Sequence, residues 1–146
     1  MRYIGIDYGK KRIGVAASES GIIARPLSPI ENRGDKKNLC QIIEICKRYD
    51  FNTICGVVCI GIPLYRDGGE SEMSMEARKF GEFLHDELGL TIVFHNEYHS
   101  SVDAEKYIRG IMGITNRDKV KELVDSVAAA VILQSYIDSL ESSGGE

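Results

Sequence analysis

The chain has 146 residues, 43% hydrophobic and 27% charged, with a formal net charge of −4. Those values suit a folded globular domain, and the acidic balance argues against indiscriminate nucleic-acid binding. No apolar run approaches the roughly 18 residues that span a bilayer, and Asp7, Lys10, Lys11 and Arg12 interrupt any signal-peptide core. A cytoplasmic protein with no membrane partner is therefore expected.

Residues 2–7 and 12–18 read as strands joined by the turn Gly9-Lys10-Lys11, a hairpin by its spacing. A third strand is expected over 22–30, with the edge-type prolines Pro26 and Pro29. Connections this short make the first three strands antiparallel. A helix is expected near 36–49, where Leu39, Ile42, Ile43 and Cys46 form a stripe after Asp35 as cap. Ile54 to Ile62 is almost continuously apolar, as a central strand covered on both faces should be. The polar loop from Tyr65 leads to a helix over 72–88 closed by Gly89. Leu90 to His95 reads as a strand, 101–109 as a short helix, and 118–139 as the last helix, after Gly110 and Gly113.

The order β-β-β-α-β-α-β-α-α predicts an α/β fold, with a five-stranded mixed sheet and helices on both faces. Residues 1–140 are expected to form a single domain and 141–146 a frayed tail. Cys40, Cys46, Cys55 and Cys59 make no Cys-x-x-Cys pair, so reduced thiols serving as small buried hydrophobes are expected.

Three acids stand in unusual places. Asp7 ends an apolar strand and enters a glycine turn. Strand alternation puts Ile4 and Ile6 on one face and Tyr3, Gly5 and Asp7 on the other. Two roles are open to Asp7: a turn cap, or a ligand to a cation that offsets the cost of burying a carboxylate. Asp125 sits in a helix that is apolar nearly all round from Leu123 to Leu133. It would point at a sheet, or else lie on a narrow solvated edge. Glu97 follows a strand end, where sites of open α/β sheets gather, or it begins the next helix as a surface acid. His95, Glu97 and His99 share parity and offer zinc as a rival, though without the helical spacing of common zinc motifs. An all-oxygen Asp/Glu/Asp set suits Mg²⁺ or Mn²⁺. Two such ions can ready a water nucleophile and stabilise the departing oxygen of a phosphodiester. Bases cluster at Lys10-Lys11-Arg12 and again from Lys106 to Lys121, where five bases accompany one acid. Each cluster reads as a solvated face or, beside the acids, as a phosphate contact.

Four segments together resemble the YqgF (RuvX-type) family of Holliday-junction resolvase-like nucleases: Ile4-Gly-Ile-Asp-Tyr-Gly-Lys-Lys-Arg-Ile-Gly-Val15; Gly61-Ile-Pro-Leu-Tyr-Arg-Asp-Gly68 with Glu72; Asn96-Glu-Tyr-His-Ser-Ser101; and Val124-Asp-Ser-Val-Ala-Ala-Ala-Val-Ile-Leu-Gln-Ser-Tyr136. The likeness extends over about residues 2–138. It implies an RNase H-like fold in which Asp7, Glu97 and Asp125 converge as catalytic ligands of a divalent metal. It also implies hydrolysis of structured nucleic acid, precursor 16S ribosomal RNA or branched DNA, with ribosomal particles as further partners. Monomer and homodimer are both compatible with it. The loop from Gly61 to Gly68 would flank the cleft, the helix from Glu72 would offer backbone N–H groups to phosphate, and Lys10, Lys119 and Lys121 would contact the substrate backbone. The third segment departs from the family's usual Asp/Glu-Glu-Arg and two threonines, with Asn96, Tyr98, His99, Ser100 and Ser101 in its place. Ala128 stands where true resolvases carry a fourth acid. A non-catalytic RNA-binding module that kept the fold is the alternative from another class. A sugar-kinase-like or actin-like ATPase would need two such domains.

Overall fold

The computed structural model describes the backbone of residues 1–52, 56–62, 71–96 and 100–144, and their side chains except at 100–103, 121–122, 125–126 and 141–144. Arg2–Asp7 (β1) and Arg12–Ser18 (β2) pair antiparallel, with Tyr3 opposite Ser18 and Asp7 opposite Gly14. The expected third strand is split into Arg25–Pro26 (β3) and Ile30–Glu31 (β4), both antiparallel to β2. Leu27 N donates to Val15 O at 2.9 Å, so the next inward-facing nitrogen is that of Pro29, which has no N–H to donate, and the ladder breaks there. Before β3 the backbone is bonded to a side chain instead: Ala24 N donates to Gln134 Oε1 at 2.8 Å, and Gln134 Nε2 donates to Ile22 O at 2.9 Å.

The sheet accordingly has six strands rather than five. Its path is β3-β2-β1-β5-β6, with β4 also on β2. Gly56–Ile62 (β5) and Thr91–Asn96 (β6) lie parallel to β1, which makes the sheet mixed. Helices cover both faces. Asp35–Arg48 (α1) and Glu72–Leu88 (α2) close one, where Ile4, Ile6, Ile13, Val15, Val58 and Ile60 meet Ile42, Phe80 and Leu84. Arg117–Gly144 (α4) lies on the other, where Ala16 and Cys59 meet Ala129, Ile132, Leu133 and Ile137. Ser100–Gly110 (α3) packs on the outer side of α4 through Ala104, Ile108, Val120 and Val127.

The caps differ in detail from expectation. Gly34, at φ 99°, precedes α1 and no side chain caps it; Asp35 is the first helical residue. Ser71 caps α2 by accepting from Ser74 N at 3.1 Å, and Gly89 closes it in the left-handed region. One N–H that the sequence offered to a phosphate at this helix start is thus already taken. Asn116 Oδ1 accepts from Asp118 N and Lys119 N, which starts α4 one residue earlier than expected. The helix then continues to Gly144, past the expected end at 139. Cys59 is buried as expected, but Cys40 is exposed on the outer side of α1. Burial pushes the Cys46 thiol up to about 11. Among the described residues no helix is long and apolar enough to cross a membrane.

Candidate active site

β1, β5 and β6 are parallel neighbours, so their carboxyl ends share one border of the sheet. Register makes this concrete: Ile6 lies beside Ile60, Gly61 beside His95, and Ile62 beside Asn96. Asp7 ends β1 at that border, half-buried, and makes an interaction of its own. Glu97 follows Asn96 in the chain but lies outside the described residues, as do the loop from 63 to 70 and His99.

The odd-numbered face of β1 belongs to α4. Tyr3 meets Tyr136 edge-on, with ring centroids 6.0 Å apart. Gly5 has no room for a side chain, since a Cβ there would sit 2.7 Å from Leu133 Cβ and 2.9 Å from Ala129 O. Helix and strand therefore touch backbone to backbone and run in opposite directions, because residues 3 and 5 meet 136 and then 133 and 129. Asp125 is on α4 one turn before Ala129; its side chain lies outside the described residues. Ala128, where a fourth acid would stand, is buried.

His95 faces α4 too. Its Nε2 is 3.0 Å from Ser135 Oγ, its ring stands edge-on to Tyr136 at 5.8 Å, and burial holds its pKa below the ordinary 6.5. Glu97 and His99, the other members of the zinc alternative, lie outside the described residues. Asp7, Glu97 and Asp125 are all carboxylates, a donor set suited to Mg²⁺ or Mn²⁺.

Among the basic candidates, Lys10 is exposed on the β1–β2 turn just beyond Asp7, and Lys119 is exposed on the first turn of α4. The side chain of Lys121 lies outside the described residues. Arg109, from the same basic run, is committed elsewhere: it donates to Glu105 Oε1 at 3.1 Å and to Thr115 O at 3.2 Å, bracing the link from α3 to α4.

Sequence reasoning missed the device that holds the turn after Asp7. Asn32 Nδ2 donates to Gly9 O at 2.8 Å, and Asn32 N donates to Lys11 O at 2.9 Å. Asn38, fully buried on α1, donates from Nδ2 to Asn32 Oδ1 at 2.9 Å and accepts from Arg33 N at 3.1 Å. Two asparagines thus tie the turn to the start of α1. The only available signal was an asparagine at a core position of the α1 stripe. Asn38→Ala should lower stability by about 1–3 kcal/mol, because it strands buried polar groups; chemical denaturation measures this.

The comparisons agree with this architecture. The family model "RuvX: Holliday junction resolvase" matches residues 1–139. A Caldanaerobacter subterraneus subsp. tengcongensis protein named "Putative pre-16S rRNA nuclease" is 35% identical, over 98% of this chain and 100% of its own. One of the same name from Fusobacterium nucleatum is 40% identical, over 94% and 96%. A solved structure of T. thermophilus RuvC in complex with a Holliday junction substrate superposes with a TM-score of 0.59 at 17% identity, covering 98% of this chain and 97% of that one. The fold is RNase H-like, as the resemblance implied. With a match to nearly its whole length, the chain belongs to the RuvX family of Holliday junction resolvase-like proteins.

Proposed function

We propose that the protein is a metal-dependent endonuclease that hydrolyses phosphodiester bonds in structured nucleic acid, acting at the 5′ end of precursor 16S ribosomal RNA. The observation that carries the reading is the place of Asp7: a half-buried carboxylate at the shared carboxyl border of three parallel strands, on the face covered by α4. The relatives named for precursor 16S rRNA cleavage supply the substrate class.

In this reading Asp7, Glu97 and Asp125 are the catalytic set and hold Mg²⁺ or Mn²⁺. Two features support their meeting. Glu97 comes one residue after β6, the second strand from β1. Two residues of strand advance about 6.6 Å, close to one helical turn of about 5.4 Å, so the step from Gly5 to Asp7 matches the step from Ala129 to the turn bearing Asp125. Bound metal supplies Lewis-acid stabilisation for attack by water and departure of the leaving oxygen. The chain's part is to hold three acids in fixed positions. Lys10, Lys119 and Lys121 hold the substrate's phosphates, and no covalent protein intermediate is required.

The test incubates the protein with a precursor 16S rRNA fragment and with a four-way DNA junction, with and without Mn²⁺, beside Asp125→Asn. Metal-stimulated RNA cleavage that disappears in the variant is the expected result. Preferential cutting of the DNA junction would move the substrate to branched DNA. Binding without any product would overturn the nuclease reading and leave a non-catalytic RNA-binding module.

A further inference from the structure

The β1–β2 turn does not project alone. The bonds from Asn32 to Gly9 and Lys11, and the β4 pairing of Arg12 with Glu31, fold residues 30–37 against residues 9–12. These two stretches, distant in sequence, bring six bases and two acids together in a chain whose overall charge is −4. One acid is accounted for, because Glu31 receives both Nε and Nη2 of Arg33, at 2.8 and 2.6 Å. Lys10, Lys11, Lys36 and Lys37 are all exposed, and among the described residues they form no ion pair. Such a cluster repels itself, which favours a polyanionic partner. The buried Asn38 clamp holds its backbone in place, so binding need not first order the loop.

We propose that Lys11, Lys36 and Lys37 extend the contact begun by Lys10 into a phosphate track. It would run from the Asp7 border over the β1–β2 turn onto the start of α1, and bind the nucleic-acid backbone beside the scissile site. This rests on the nuclease reading for its partner, but not for its chemistry. Contacts of this kind position a substrate without reading its bases, so the track recognises phosphate spacing in RNA or DNA alike. Asn32 and Asn38 are positioning residues within it.

The experiment measures binding, not cleavage. In an Asp7→Asn background, where the probe survives, a fluorescent RNA hairpin is titrated at several KCl concentrations. Lys36→Ala/Lys37→Ala should weaken binding by about tenfold near 0.1 M salt and reduce the log–log salt slope by about 2, since each lost phosphate contact removes about 0.9. Lys36→Arg/Lys37→Arg should restore both. Both positions are exposed, so unchanged melting curves will separate lost contacts from lost fold. If the parent binds the hairpin and the double alanine variant keeps its affinity and slope, the track is wrong while the nuclease reading stands. If the parent fails to bind the hairpin or a four-way DNA junction, both fall together.

Discussion

Asp7→Asn is expected to reduce metal-dependent cleavage by at least about a thousandfold, equivalent to roughly 4 kcal/mol of barrier. The change is nearly isosteric, and the core of β1 is carried by Ile4 and Ile6 on its opposite face. The variant should therefore melt cooperatively with unaltered far-ultraviolet circular dichroism. An amide keeps one oxygen but loses the charge that makes the position a ligand for a hard cation. Full activity in a preparation free of contaminating nuclease would remove Asp7 from the mechanism.

The second large effect should come from adding one methyl group. At Gly5 a Cβ would press on Leu133 Cβ and on the Ala129 carbonyl oxygen. The carbonyl belongs to helix backbone, which cannot rotate aside as a side-chain tip can. Gly5→Ala should thus cost about 2–3 kcal/mol, or roughly 6–12 °C in melting temperature for a chain of this length. Relief requires α4 to move away from β1. Because the same helix bears Asp125, residual folded protein should also lose cleavage, beyond the fraction that is unfolded at the assay temperature. A melting temperature equal to wild type would show that the helix has more freedom than this close contact allows.

Much of the architecture was written in local patterns. The alternation of Ile4 and Ile6 against Tyr3, Gly5 and Asp7 survives intact, with α1 and α2 on one side and α4 on the other. The uninterrupted apolar character of β5 matched a strand covered on both faces, and the near-uniform apolar stretch of α4 fitted a helix lodged between a sheet and α3. What escaped were features made by distant residues meeting. Nothing periodic in the sequence joins Asn32 to Gly9 or Asn38 to Asn32. The split of the third strand followed from the backbone donor lost at Pro29, although the prolines themselves marked an edge. For the candidate site, the strand-end position of Asp7 was legible, because a carboxylate closing an apolar strand stands out. The fit of α4 to Gly5 was not, since a glycine in a strand announces close approach without naming what approaches.

The interrupted edge made by β3 and β4 has a consequence for life at high concentration. A long, straight outer strand would present a row of unsatisfied amides and carbonyls to any neighbouring molecule. Here two-residue pieces separated by residues 27–29, with proline nitrogens in the row, offer too few consecutive donors to template a seventh strand. That border of the sheet is thereby shielded from fibril-like stacking.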